Sequence, residues 1–415
     1  MNDLSFRCGT LAKALPLLLL PMLLGSARAD LPLPDKTQLV AEVNEKVARV
    51  KKLLDEQKLG GLLLSSTHDI AWLTAGLTDG HVVITSEEAS VSLLIMADGG
   101  RFAIASNSEA ERTMSEDLAG LGFSLKTFRW FEDKGPRDQK RQLIDEVAAG
   151  RAIATDLPYG NLRVLDPISL HGLQVPLTAS EITKYRWVGH NTADAVAAAL
   201  ARVKPGMSER EIETITSDEL MKRRIRPTVL LVGTDERCSR IRHLVPTDDH
   251  MVRSYAMINV CARRFGLVAA VTRFVHFGPL PAELEKKNGI VARVAASEMA
   301  ALKPGATAVS LLETAQRAYK AAGMPDEWQE HHQGGAIGYG ERDWLVHPWA
   351  KERVVDREAF AFNPSVPGIK DEDTMLLLDG RLENLTPTPT LPSVTVDVAG
   401  QKLQRPHVWV RPATP

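Results

Sequence analysis

The residues with chemistry to offer lie in the second half of the chain. His243 follows Arg242, and His331-His332 precede Gln333-Gly334-Gly335. An imidazole titrating near neutral pH can accept and return a proton, so each is a candidate general acid or base. Arg342-Asp343 and Glu372-Asp373 add a guanidinium and carboxylates. A guanidinium can clamp a carboxylate through two parallel hydrogen bonds, and Glu372 or Asp371 can bind a cationic or amide group. Asn259, His332, Gln333 and Asn363 supply neutral hydrogen-bonding groups. Plainer readings stand beside these. His331-His332 reads equally as a loop pair, Arg342-Asp343 as a structural ion pair, and Glu372-Asp373 as a solvated turn. His68-Asp69 reads as a helix cap rather than a dyad.

The elements that must position these groups follow from patterning. Residues 38 to 175 read as alternating helix and strand. Val47, Val50 and Leu54 recur at helical spacing, and Gly60-Gly61 ends that helix. Leu62–Leu64, Val82–Ile84, Leu93–Met96 and Phe102–Ile104 read as strands, the last entered through a turn at Gly99-Gly100. A boundary falls near Pro176. Thr178 and Glu181 form a capping box that opens a long helix, with Val188, Val196, Leu200 and Val203 on its inner face. That helix ends at Lys204-Pro205-Gly206, and Ser208 with Glu211 caps the next. A helix over about 282–302 likewise ends at Lys303-Pro304-Gly305, followed by one over about 308–322. After each helix pair come strands: Val229–Val232 and Met257–Phe277, then Phe360–Phe362, Met375–Leu378 and Val394–Val410. The two Lys-Pro-Gly turns and the matching order of elements read as an internal duplication.

With those halves in place, the chain resembles the creatinase and Xaa-Pro aminopeptidase group (peptidase family M24) over its whole length after residue 29. Three segments carry the likeness. Asn259 to Phe274, NVCARRFGLVAAVTRF, keeps Gly266 and Thr272-Arg273 of the family pattern. Gly334 to Arg342, GGAIGYGER, falls on the Gly-His-Gly-Ile-Gly segment, and Glu372-Asp373-Thr374 on the family's Glu-Asp-Thr. The resemblance implies an α/β N-terminal domain over 30–177. It implies an α+β pita-bread domain over 178–415, with an internal pseudo-twofold duplication.

The metallopeptidases of this group hold two metal ions with two Asp, one His and two Glu. Two ions sharing a bridging hydroxide polarise the scissile carbonyl. On this chain those positions are Asn259, Ala270, Gly335, Asn363 and Glu372. Only the last keeps an ionic donor, so the expectation is no metal and no cofactor. The family's substrate-facing histidines match His243 and His331, and a third falls on Arg342, followed by Asp343. Creatinase, within the same fold, hydrolyses a C–N bond without metal by using a His as proton shuttle. The resemblance therefore implies a metal-independent hydrolase of a small amide, amidine or short peptide. His243, His331 and Glu372 would be catalytic, and Asn259, His332, Gln333, Arg342, Asp343 and Asn363 would bind substrate. A catalytically inactive relative that binds a small molecule, peptide or protein is the alternative, and an ordinary metallo-aminopeptidase is third.

The chain has 415 residues, is 44% hydrophobic and 25% charged, and carries a formal charge of -2. That composition fits a soluble two-domain protein and gives no nucleic-acid footprint or polybasic membrane patch. Arg7 and Lys13, the apolar run Leu15–Gly25 and Ala27-Arg28-Ala29 read as a signal peptide over 1–29. The run is about half the roughly 20 residues needed to span a bilayer. A periplasmic or secreted protein follows, free of the membrane after cleavage, with room for a homodimer. Cys238 and Cys261 read as buried thiols, with one disulfide left open. Gly334–Gly338 departs from the nucleotide-binding glycine pattern, and neither a P-loop nor a G-x-S-x-G elbow is present.

Overall fold

The computed structural model describes residues 32–413, so the signal-peptide reading of residues 1–29 lies outside the described residues. The first helix, Lys36–Gln57, opens with a capping box between Asp35 and Gln38 and closes on Lys58 in the left-handed conformation. Its Val43, Val47, Val50 and Leu54 are buried against a six-stranded sheet. The sheet runs in the order Ser124–Phe128, Arg101–Ser106, Glu88–Met96, Gly61–Ser66, Ile153–Thr155, Arg163–Val164. The central strand Gly61–Ser66 is buried along its whole length, as expected of an apolar run covered on both faces.

The expected strand Val82–Ile84 is absent from this sheet. These residues form a bend and turn, and their side chains are 60%, 60% and 62% exposed. The neighbouring strand begins only at Glu88. A short β-branched run carries strand propensity, but propensity is expressed only where a partner strand is available.

The rest of the chain is built twice. In the first half, helices Ala179–Arg202 and Glu209–Lys222 cover strands Arg226–Thr234, Tyr255–Arg264 and Leu267–Phe277. In the second, Ala282–Ala300 and Ala308–Ala321 cover Gly334–Ala336, Glu358–Phe362 and Asp373–Leu378. The two Lys-Pro-Gly turns make the same backbone hydrogen bonds. Gly206 N–H donates to Val252 O and Gly305 N–H to Val354 O. Val252 N–H returns to Met207 O, and Val354 N–H to Ala306 O. One residue pair further on, Glu209 N–H meets His250 O and Ala308 N–H meets Glu352 O. Both glycines hold positive φ, 89° and 87°, where a Cβ would be strained.

The expected run Val394–Val410 divides differently. Ser393–Val398 and Gln401–Pro406 form a separate hairpin. Trp409–Arg411 then pairs in parallel with Leu267–Phe277 of the first half, so the last strand returns to the opposite sheet. Cys238 and Cys261 are free thiols, both buried.

Both parts of the chain belong to one compact unit, Leu33–Pro415. A wholly buried charge cluster joins them. Lys46 Nζ lies 2.7 Å from Glu42 Oε1 and 2.8 Å from Glu181 Oε1, and Lys184 Nζ lies 2.8 Å from Glu42 Oε2. Tyr339 donates to Glu181 at 2.6 Å. Two lysines balance two glutamates, so neither sign is left uncompensated away from water. The cluster fixes Tyr339, and with it the turn that carries Arg342.

Candidate active site

Alternation along the segment Lys370–Asp373 aims its side chains to two sides. Asp371 and Asp373 point into the protein. Arg405 pairs with Asp371 and lies 3.1 Å from Asp373, and Arg273 Nη2 lies 2.6 Å from Asp373 Oδ1. Lys370 and Glu372 thereby face the other way. Asp371 is thus committed to Arg405 and is not a ligand-binding group.

Glu372 is the centre of the site. Its Oε2 accepts from Asn259 Nδ2 at 2.6 Å and from Thr272 Oγ1 at 2.7 Å. Its Oε1 accepts from Arg342 Nη2 at 2.7 Å. Burial works against the charge. Lys370, Arg342 and the Thr272 hydroxyl outweigh it and hold the carboxyl below its ordinary range. Arg342 is largely committed by this arrangement, because Nη1 donates to the Glu341 carbonyl at 2.5 Å. With both terminal nitrogens engaged, the buried Nε is the guanidinium nitrogen left without a partner among the described residues.

The three imidazoles converge. His331 Nε2 lies 3.2 Å from His243 Nε2, and the His331 and His332 rings stack at 4.3 Å. His243 stands exposed at the rim, while His331 is buried. Burial, reinforced by Lys370, lowers the His243 pKa and takes that of His331 down to about 2. Burial and the Arg342 guanidinium lower His332 to about 4. All three are neutral at pH 7. Among the described residues this trio alone brings three ligating atoms together, all within 4.8 Å. It offers only nitrogen, and two of those nitrogens already face each other across a hydrogen bond.

Other buried polar atoms of the candidate set lack partners among the described residues. Gln333 donates to the His331 carbonyl at 2.5 Å, but its Oε1 is unpartnered. Asn363 N–H donates to Gln333 O at 3.1 Å, and its side-chain Oδ1 is also unpartnered, as is His332 Nδ1. Asp343 lies elsewhere. Its carboxylate accepts from Gly340 N–H at 3.0 Å, closing the 340–343 turn. It lines a cavity of about 330 Å³ together with Arg342, Asp69, Asp156 and His171. There the short helix Thr67–Leu73 is capped by Ser66 rather than Asp69. Burial and Asp156 raise the Asp69 pKa to about 7.

The donor set does not fit the dinuclear centre of the family. Asn259 and Asn363 offer amides, and Asn259 turns its N–H₂ toward Glu372. Ala270 offers a methyl group on a strand position paired with Cys261. Gly335 is held between Ala361 and Leu345 on neighbouring strands. A Cβ there would stand 2.1 Å from the Trp344 carbonyl oxygen, so the strands as they stand leave no room for a side chain. One carboxylate, already bonded through both oxygens, cannot hold two divalent ions. In their place the protein puts Arg342 and Lys370 beside Glu372.

Lys370 is the residue that reading the sequence missed. It is 8% exposed, lines a water-sized void with His331 and Arg242, and holds its proton less tightly than usual because of burial. Its signal was available: it alternates with Glu372 across Asp371.

Residues 183–377 match the model of metallopeptidase family M24. A dipeptidase PepE from Mycobacterium ulcerans has the same fold at 16% identity, covering 90% of this chain and 99% of that one, with a TM-score of 0.73. An Xaa-Pro dipeptidase from Bacillus anthracis matches at 17% identity over 89% of this chain and 100% of that one, with a TM-score of 0.66. The N-terminal domain of FACT complex subunit SPT16 from chickpea matches at 11%, over 84% and 97%, with a TM-score of 0.63. In sequence, an uncharacterized peptidase from Staphylococcus saprophyticus is 20% identical over 366 residues, covering 82% of this chain and 99% of its own. The duplicated halves, the N-terminal α/β layer and the family match together place residues 183–377 in metallopeptidase family M24, within the creatinase and Xaa-Pro aminopeptidase group.

Proposed function

We propose that this protein is an exported, periplasmic or secreted hydrolase of the creatinase type. It cleaves a C–N bond in a small amide, amidine or short peptide without the dinuclear centre of its family. One observation carries the reading: the five family positions lack ionic donors except for Glu372, yet the surrounding wall is polar and partly unsatisfied. Buried polar groups without partners cost free energy and call for an explanation. A ligand that meets Asn363 Oδ1, Gln333 Oε1, His332 Nδ1 and Arg342 Nε supplies one.

In this reading His243 accepts the proton of the attacking water and returns it to the leaving nitrogen. Its rim position gives it access, and the hydrogen bond to His331 orients its ring. Glu372, kept ionised, and Lys370 set the field in which charge develops on the substrate. The second reading is a pseudoenzyme that binds a small molecule, peptide or protein in the same place. It draws on Glu372, whose two oxygens are both taken, leaving no free carboxylate to activate water.

The test is turnover of X-Pro dipeptides and small amidines, with and without chelator. The expected result is chelator-insensitive hydrolysis that falls about 10²–10⁴-fold in His243→Ala. Because burial lowers the imidazole pKa, kcat/KM should stay level at neutral pH and fall only in acid, with a midpoint below the ordinary imidazole value of 6.5. Binding of these compounds without turnover, unchanged in His243→Ala, would favour the pseudoenzyme.

A further inference from the structure

A second site lies away from the imidazoles. The hairpin of strands Tyr255–Arg264 and Leu267–Phe277 pairs Asn259 with Thr272 in the candidate active site, and closes five residues further along at Arg264–Leu267. At about 3.3 Å per residue, that turn lies roughly 16 Å from Asn259 along the strand. It forms one wall of a cavity of about 590 Å³, which is the size of a small-ligand pocket. The cavity is floored by Leu39, Leu77, Met221, Ile225 and Phe265.

Four arginines surround it: Arg224, Arg226, Arg263 and Arg264. Two are engaged. Arg263 lies 3.2 Å from Asp79, and Arg226 donates to His81 Nε2 at 2.6 Å. The other two form no ion pair among the described residues. Arg264 donates to the backbone carbonyl of Arg224 at 3.1 Å and lies 5.0 Å over the Phe265 ring. Burial and the nearness of Arg224 weaken Arg264's hold on its proton. Two like charges brought together beside an apolar floor repel each other, and a bound anion removes that repulsion. Guanidiniums are suited to acidic groups because their forked N–H donors match the two oxygens of a carboxylate.

We propose that this cavity binds a small organic anion made of one carboxylate on an apolar body, with Arg224 and Arg264 holding the carboxylate and Leu77, Met221 and Phe265 covering the body. The charge selects the head and the floor selects the tail, so neither acetate nor a cationic amphiphile meets both demands. The site is independent of the hydrolytic reading, since none of its residues belongs to the imidazole and Glu372 assembly.

The experiment is calorimetric titration of the full chain with decanoate, acetate and decyltrimethylammonium, repeated with Arg224→Ala/Arg264→Ala. Arg224 is exposed and Arg264 half-buried, and thermal melts of the variant check that the fold is intact. The expected result is saturable one-to-one decanoate binding, at least tenfold tighter than acetate, no binding of the cation, and at least a tenfold loss in the double variant. If the variant proves unfolded, Leu77→Asp replaces it and must give the same loss. Decanoate binding that survives in a folded variant, equal binding of acetate or of the cation, or no decanoate binding overturns the proposal.

Discussion

Replacing Arg342 with Met tests whether a guanidinium has taken over the role of the family's metal ions beside Glu372. The two groups meet at 2.7 Å, and their side chains are 12% and 2% exposed. Removing one partner of a buried ion pair costs about 3–5 kcal/mol, because the remaining charge is left without its counterion. Asn259, Thr272 and Lys370 still face Glu372 in the variant, so the lower end, about 3 kcal/mol, is expected at pH 7. The pH dependence has a definite sign. In the parent the Glu372 pKa is depressed, so its contribution is present above the unfolded carboxyl value and is lost as pH falls through the folded one. In Arg342→Met one of the two cations that offset burial is gone, so the folded pKa rises from its depressed position. The gap between variant and parent should therefore shrink as pH falls from 8 toward 4.5. Adding Glu372→Gln removes the stranded charge and should recover about 2 kcal/mol relative to Arg342→Met alone. Urea unfolding of parent, singles and double at pH 5 and pH 8 reads all of this. A cost below about 1 kcal/mol for Arg342→Met, or strictly additive singles and double, would refute the argument, since either places the pair among solvent-screened surface bridges.

Two further outcomes follow from buried groups. Glu298 lies in the helix Ala282–Ala300 with neither carboxyl oxygen partnered among the described residues, and burial together with Asp371 raises its pKa well above the ordinary 4.5. The unfolded chain releases that proton above 4.5 while the folded one keeps it, so the group destabilises the fold increasingly as pH rises. Glu298→Leu should be more stable at pH 8 by about 1–3 kcal/mol, with a smaller gain at pH 4.5, and a gain that does not change with pH would contradict this. Gly335→His places a ligand back at the family's histidine position, but its Cβ meets the Trp344 carbonyl at 2.1 Å. It should lower the melting temperature and add no manganese or zinc uptake, and a stable variant that gains metal would contradict this lack of room.

Much of the architecture was legible because its signals are local. Capping boxes at Thr178 and Ser208 and the paired Lys-Pro-Gly turns mark helix ends by side-chain and backbone chemistry that operates within a few residues. What depended on distant partners was not legible. Val82–Ile84 carries strand propensity but has no strand to pair with. Trp409–Arg411 joins a sheet edge made some 130 residues earlier, which no spacing rule predicts. At the site, the convergence of His243, His331 and His332 was foreseeable only through the family pattern, since it depends on how the two halves meet. Asp343 was drawn toward the site by its neighbour Arg342, whereas its carboxylate is taken by the Gly340 N–H of the 340–343 turn while Arg342 reaches Glu372. Lys370 escaped notice because a lone lysine is usually solvated, and only its alternation with Glu372 places it inside.

In the function proposed above, a protein cation beside Glu372 stands where the family's metallopeptidases hold a dinuclear centre. Elemental analysis of protein purified without added metal, paired with an X-Pro and amidine assay in chelator, addresses it most directly. No stoichiometric pair of transition-metal ions is expected, and any turnover should be unaffected by chelator or by added manganese. About two equivalents of bound metal, with hydrolysis abolished by chelator and restored by manganese, would contradict it.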